Sequence, residues 1–429
     1  MITSRSAVAS YQSCPRKRYW NYEAANGTAT LGWERKRLAI PLVTGIYVHK
    51  GLEQALKGMD GAASAHYAKA EYLEEVSARG LQVEEGSDEQ AVIDEQAAHV
   101  EALVLAWCRV RLPKWLEEYE LIEVEAEDRV PLSDDVALAV RADAIVRRKY
   151  DHRMFVVNFK TVAQADERWL RGWEVDMQLM TELLAAERRH GHEFGGVIIE
   201  GLIKGRRMPV NDAVGTVTGY RDTTPLLYGY KCDADPPLTP LQYQWDYTRR
   251  KGWYRFPTWK EQQLVPHTVE PATSRDGGKT WLTVEGKVAT PYAGSPLEYW
   301  INWLPEEVVE GQFTVVPPIM RDQARIESKV RQIVHMERGI ADAMHLLCSN
   351  VFSIDEWNGS QQSGDEVPSS QDRLVMLDER FPQNEHSCIW PSKCPCFDLC
   401  FTANVADDPA GSGLYQPRKD HHAVQGESE

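Results

Sequence analysis

Val136-Ala-Leu-Ala-Val-Arg-Ala-Asp143-Ala-Ile-Val-Arg-Arg-Lys-Tyr-Asp-His-Arg-Met-Phe-Val-Val-Asn158-Phe-Lys160-Thr161 is the stretch on which the fold turns. Small and apolar residues run from Val136 to Val140 and again from Met154 to Phe159, each run as short as a strand, and the polar segment Arg147 to Arg153 joins them. Two strands connected in this way bring an acid, Asp143, and an x-x-Lys element, Asn158-Phe159-Lys160, within reach of one divalent metal. Phosphodiester hydrolysis needs that arrangement, with a cation to offset transition-state charge and a lysine to orient or deprotonate the attacking water.

Outward from the hairpin, Ile122-Glu-Val-Glu-Ala-Glu127 alternates with period two and adds a strand that carries Glu125 as a further candidate acid. Residues 173–190 predict a helix with Met177, Met180, Leu183 and Leu184 on its apolar side, and Gly195–Lys204 predicts a more buried strand. A meander, a helix and a strand in series give the α/β (α+β) class, a central mixed sheet flanked by helices. Upstream, residues 44–57 have helical spacing, so His49 and Glu53 share a face. Residues 88–119 predict an all-helical insertion interrupted at Pro113, and residues 319–347 predict another strong helix. The expected division is an N-terminal segment 1–60, a helical insertion 61–119, a core 120–204, an extension 205–350, a flexible region 351–385, a cysteine segment 386–402 and a disordered tail 403–429.

A hydrophobic content of 43% is ample for a sizeable core. No signal-length apolar stretch opens the chain and no run of roughly 18 apolar residues suits a membrane span, which makes a cytoplasmic setting the expectation. Lys and Arg number 48 against 64 Asp and Glu, a net charge of −16 that excludes wrapping of nucleic acid by the whole surface. Any DNA contact is then local, at Arg16-Lys17-Arg18, Arg147-Arg148-Lys149, Lys204 to Arg207 or Arg249-Arg250-Lys251, although each run equally suits a solvated face. Trp245, Tyr247, Trp253 and Tyr254, interleaved with the last run, suit base stacking or a core equally well.

Eight cysteines include Cys388-x5-Cys394-x5-Cys400, with Cys396 between and Cys14 far upstream. In a cytosolic chain such crowding points to a metal or cluster rather than disulfides. Thiolates from both ends of a chain can close one site, and four are the usual set for an iron-sulfur cluster or a structural zinc. Cys396 is the spare, with Cys394 and Cys396 close enough that either suits the ligand role.

In this order, the motifs resemble the PD-(D/E)XK nucleases, in particular a RecB-like branch with a 4Fe-4S cluster, of phage or CRISPR exonuclease type. Ser4 to Tyr19 around Cys14 looks like the family's N-terminal cysteine helix, Gly45-x-x-x-His49 like its histidine motif and Ala139-Val-Arg-Ala-Asp143 like its acidic motif. Phe155-Val-Val-Asn-Phe-Lys160-Thr looks like its (D/E)-x-Lys strand, and Gln178 fits its glutamine helix. The resemblance implies a restriction-endonuclease-like sheet with a C-terminal iron-sulfur closure, the cluster held by Cys14, Cys388, Cys394 and Cys400, with structural zinc as the alternative. It also implies Mg2+ or Mn2+ at His49, Asp143, the Phe159 carbonyl and Asn158 or Glu182, with Lys160 orienting water and Gln178 positioning the strand. The implied partner is DNA, as single strands or duplex ends, contacted by Arg147, Arg148, Lys204, Arg249 and Arg250. The implied role is exonuclease action in recombination, repair or phage DNA metabolism, in a bacterial or phage-infected cytosol.

Two positions depart from the family pattern. Asn158 stands where the family has Asp or Glu and offers a hard cation only one carbonyl oxygen. Glu182 stands where a tyrosine usually follows the glutamine, one helical turn beyond Gln178, and is the candidate to supply the missing carboxylate. If it does not, the chain is a nuclease-fold DNA-binding protein without catalysis.

Overall fold

The computed structural model describes residues 1–27, 31–37, 40–79, 88–162, 165–174, 176–191, 194–203, 306–349, 375, 377–389 and 393–418, together with six short strands between 228 and 299. In chain order the elements are β1 (Ile2–Ser4), α1 (Arg5–Ser13), α2 (Pro15–Arg18), β2 (Trp33–Arg35), α3 (Ile40–Leu56), α4 (Gly61–Ala78), α5 (Asp88–Val110) and α6 (Leu112–Glu118). There follow β3 (Tyr119–Pro131), β4 (Ala137–Arg148), β5 (Met154–Val162), α7 (Glu167–Gly172), α8 (Met177–His190) and β6 (Phe194–Ile203). The short strands are β7 (Tyr228–Lys231), β8 (Thr258–Trp259), β9 (Gln262–Gln263), β10 (Ala272–Ser274), β11 (Trp281–Thr283) and β12 (Ser295–Tyr299). Then come α9 (Glu306–Glu310), β13 (Phe313–Ile319), α10 (Gln323–Ser349), three short cysteine-region helices and β14 (Tyr415–Pro417).

A six-stranded sheet in the order β1-β4-β5-β6-β13, with β3 also on β4, forms the centre. β1–β4 and β5–β6 are parallel; β3–β4, β4–β5 and β6–β13 are antiparallel. The sheet is therefore mixed and flanked by helices, consistent with a restriction-endonuclease-like fold. One face packs Phe155, Val157 and Phe159 against Val48, Leu52, Leu103 and Trp107 of α3 and α5. The other packs Ile145, Val156 and Ile199 against Leu179, Leu183 and Ala186 of α8. Side chains pointing alternately to the two faces of β5 serve both cores.

Several expected boundaries move. The helices of 61–119 are no appended insertion: α5 runs across the sheet with Val100, Val104 and Trp107 fully buried in the core shared with Phe159. Amphipathic spacing predicts the helix but not what its apolar stripe meets. The expected extension 205–350 contains β13, a strand of the central sheet, and α10, whose Ile326 lies in the α8 core. Within 351–385, Leu377 and Phe381 are buried against Ile340 and Ala343 of α10. The disorder expected from residue 403 is not found over 403–418: Ala403–Asp407 is helical and β14 pairs with β2, because Tyr415 and Val405 close a small core with Trp20 and Trp33. The polar stretch Ser360–Gln371, residues 419–429 and Cys232 lie outside the described residues. Among the described residues no helix is long and apolar enough to cross a membrane.

The basic run at residues 16–18 is mostly not a solvated face. Arg16, 1% exposed, donates to the Phe381 carbonyl at 2.9 Å and to Asp378 at 2.6 Å, and Arg18 pairs with Glu337 at 3.0 Å and Glu23 at 2.8 Å. Two of its three cations thus fasten the N-terminal helices to α10 and the segment after it.

Candidate active site

A break in the sheet makes the site. β1 pairs with Ala137–Ala139 and β5 with Ala144–Arg147 along the same edge of β4, so Asp143 sits where the two partners part. The Phe159 N–H, beyond the end of that ladder, donates instead to Asp143 Oδ2 at 2.7 Å, which satisfies a buried amide. Asp143 Oδ1 faces His49 Nδ1 at 3.3 Å. The histidine arrives there because α3 lies close over β5, where a Cβ on Gly45 would stand 3.0 Å from Thr161 Oγ1. Burial pushes the Asp143 carboxyl up, but His49, Lys160 and the Phe159 amide outweigh it and hold it at about 2.

Asn158 points to the opposite face, beneath α8. The Asp176 side chain caps that helix by accepting from the Gln178 N–H at 2.6 Å and pairs with Arg5 at 3.1 Å, which fixes where Gln178 and Glu182 fall. Both then look down on Asn158. Its amide donates to Glu182, and its carbonyl accepts from Gln178 Nε2 at 2.9 Å and from Lys160 Nζ at 3.2 Å. Gln178 Nε2 also donates to the other Glu182 oxygen, while Gln178 Oε1 is buried without a hydrogen-bond partner. Burial raises the Glu182 carboxyl to about 7 against the pull of Lys160, Asn158 and Gln178.

Lys160 joins the two halves, since its charge bears on Asp143 and Glu182 alike and its ammonium lies 6.0 Å from the Trp173 ring. Glu125 takes φ +51°, a left-handed conformation inside a strand, and its carboxyl rises to about 7 through burial and the neighbouring Asp143, opposed by Arg141 and His49. Glu53 pairs with Lys57 and touches the group only through its charge on Glu125. Sequence reading missed Arg141, whose Nε is 2.9 Å from Glu125, although its place two residues before Asp143 on one strand was a usable signal. Nothing in the sequence marked Trp173.

The structure thus gathers His49, Asp143, Asn158, Lys160, Gln178 and Glu182. It does not gather the arginines: Arg147 pairs with Glu120 at 2.8 Å, Arg148 pairs with Asp151 and lies 4.3 Å from the Tyr150 ring centre, and Arg147 stands opposite Met154, at the far end of β5 from Lys160. Lys204, Arg249, Arg250, Trp245, Tyr247, Trp253 and Tyr254 lie outside the described residues.

The chain's two ends meet at the cysteines. The Asn384 N–H points at Cys14 Sγ at 3.4 Å, and Asn384 Nδ2 and Ser387 Oγ donate to the Ser13 carbonyl at 2.9 and 3.2 Å. Burial raises the Cys388 thiol, with Cys14 and Cys394 adding to it. It also raises Cys400 to about 12, where Cys394, Cys14 and Cys388 add to the rise. Cys396 is buried beside Trp33 and Tyr415, within hydrogen-bond reach of both Asn21 Oδ1, at 2.9 Å, and Cys394. A hydrogen bond from Cys396 lowers Cys394 to about 6. Among the described residues no group of three or more His, Cys, Asp or Glu side chains is arranged to hold a metal ion as it stands.

No curated protein matches this sequence. The segment that contains His49, Asp143, Asn158, Lys160, Gln178 and Glu182, residues 3–208, matches the family model of the PD-(D/E)XK nuclease superfamily.

Proposed function

We propose that this chain is a metal-dependent DNA nuclease acting through His49, Asp143, Asn158, Lys160, Gln178 and Glu182. The observation that carries the reading is the Asn158–Glu182 hydrogen bond, which puts a buried carboxylate beside the one position where the motif lacks its acid, with Lys160 on the same amide. A hard divalent cation suits these donors. They are an imidazole, carboxylates and carbonyl oxygens, and burial, with Asp143 adding to it, holds Glu125 and Glu182 up at about 7, a cost to their ionised forms that positive charge relieves. His49, Asp143, the Phe159 carbonyl and Asn158 or Glu182 would hold Mg2+ or Mn2+. When bound, such an ion supplies positive charge against the phosphodiester and acidifies water. Asp143 stays ionised throughout the neutral range, Lys160 holds its proton-bearing nitrogen between the two acids and orients the attacking water, and Gln178 keeps Asn158 and Glu182 in register.

DNA cleavage from ends or on single strands, in recombination, repair or phage DNA metabolism, is the finer reading, and it leans on the order of motifs that includes the cysteines. Reduced thiols suit a cytoplasm, bacterial or phage-infected. The test is cleavage of end-labelled single- and double-stranded DNA with Mg2+ or Mn2+ and with EDTA. Metal-dependent cleavage is expected; tight DNA binding with no cleavage under any metal would instead mark a binding protein disarmed at Asn158.

Cys14, Cys388, Cys394 and Cys400 are proposed as the ligands of a 4Fe-4S cluster that staples the two ends of the chain. The influence of Cys14 and Cys394 on the Cys388 thiol, and of all three on Cys400, supports a shared site, beside which Cys396, hydrogen-bonded to Cys394 and raised by it and by Cys400, stands as the alternative to Cys394. Anaerobically purified protein is expected to carry about four irons per chain and visible absorption, lost in Cys14→Ser and kept in Cys396→Ser. Colourless protein with one zinc would point to the structural-zinc alternative.

A further inference from the structure

One acid interrupts the otherwise apolar and glycine-rich strand Phe194-Gly-Gly-Val-Ile-Ile-Glu200-Gly-Leu-Ile203, and it is fully buried. Glu200 accepts from Trp107 Nε1 at 3.1 Å and Arg111 Nε at 2.8 Å on one oxygen and from Trp115 Nε1 on the other. A charge this deep is tolerated only when it is well paired and hydrogen-bonded. The three donors, one of them cationic, take three of its roughly four lone-pair positions, and only a carboxylate accepts on both arms; an amide would turn an N–H toward one donor.

Both indoles bear on Phe159, the register neighbour of Glu200 in the β5–β6 ladder. Trp107 meets the Phe159 ring edge-on at 5.4 Å and Trp115 at 6.0 Å, while the His49 ring approaches the same phenyl at 6.4 Å. Phe159 is also the residue whose backbone N–H holds Asp143, and Asp143 in turn meets His49. An unbroken chain of contacts therefore runs from a buried acid on β6 to the two groups that open the active site.

We propose that Glu200 is a positioning residue: by orienting Trp107 and Trp115 it fixes Phe159, and through the Phe159 backbone it sets the Asp143–His49 pair. The purpose of this device rests on the nuclease reading, but its test does not. A carboxylate that merely staples α5 and α6 to β6 would affect the whole sheet evenly, whereas a positioning carboxylate acts on one amide.

The experiment is residue-resolved amide hydrogen exchange on the full chain, comparing wild type with Glu200→Gln and with Trp115→Phe, which keeps an aromatic ring but removes the indole N–H together with its five-membered ring. The Phe159 amide is expected to exchange roughly tenfold faster in both variants while the β4–β5 ladder amides of Phe155 and Val157 keep their rates. In parallel, kcat for metal-dependent cleavage should fall with KM for DNA unchanged. Trp115→Phe carries the test alone if Glu200→Gln does not fold. An unchanged Phe159 amide, or a uniform rise along β5, overturns the proposal. A selective Phe159 response in a protein that cleaves no DNA upholds the link and rejects the nuclease reading.

Discussion

Lys160→Ala is expected to lower metal-dependent DNA cleavage by roughly a hundred- to ten-thousandfold while leaving DNA binding within about threefold of wild type. The expectation follows from where the ammonium sits. It hydrogen-bonds the Asn158 carbonyl at 3.2 Å and is the foremost influence opposing burial at Glu182, besides helping to keep Asp143 ionised. Its loss removes the donor proposed to orient water and, at the same time, makes both acids harder to ionise, so the effect belongs to the chemical step rather than to encounter with DNA. Single-turnover cleavage at saturating protein separates the two. Lys160→Arg should not rescue, because a planar guanidinium cannot occupy the place of a compact ammonium beside Trp173. Cleavage by Lys160→Ala at a rate near wild type would take Lys160 out of the mechanism and leave the pocket as a buried polar knot.

Much of this site was legible because it depends on short-range pattern. Short apolar runs located the β4–β5 hairpin and put Asp143 and Lys160 on it, and helical spacing put Gln178 and Glu182 on one face. What stayed hidden depends on long-range pairing or on single torsions. Arg16 and Arg18 look like a solvated basic run because their partners, Asp378 and Glu337, lie more than three hundred residues away. Glu125 sits in a clean alternating strand, and only its φ of +51° distinguishes it. Glu200 could have been found, since one acid within an apolar strand demands a partner, but its partners on α5 and α6 come from helices that periodicity alone set apart from the sheet. The order of residues 403–418 was hidden for a related reason: Gly- and Pro-bearing polar sequence reads as disorder, while β14 pairs with β2 and packs Tyr415 into a core that includes Trp20 and Trp33 from the other end of the chain.

Glu182→Gln is the substitution in which stability and activity should move in opposite directions. Burial raises the wild-type carboxyl from an unfolded value of 4.5 to about 7, so the folded state holds a proton that the unfolded chain has released. Stability from this group is fully present below pH 4.5 and is lost as the pH rises through 7, at up to about 1.4 kcal/mol per pH unit and on the order of 3 kcal/mol in all. Glu125, also raised to about 7, adds a loss of the same sign, whereas Asp143, held at about 2, contributes only at acid pH. Metal-free wild type should therefore weaken between pH 5.5 and 8 in denaturant titrations. The glutamine variant should weaken about half as steeply, keeping the share due to Glu125. Near pH 5.5 the variant gains nothing, because its one new amide group faces either the Asn158 or the Gln178 amide N–H and forfeits one hydrogen bond worth about 1 kcal/mol. At pH 8 it should be the more stable protein and, if Glu182 supplies the carboxylate that Asn158 cannot, a nearly inactive one, with Mg2+ stabilising it less than wild type. Full metal-dependent cleavage by Glu182→Gln would show that the carboxylate is a buried acid without a part in hydrolysis and return the question to Asn158.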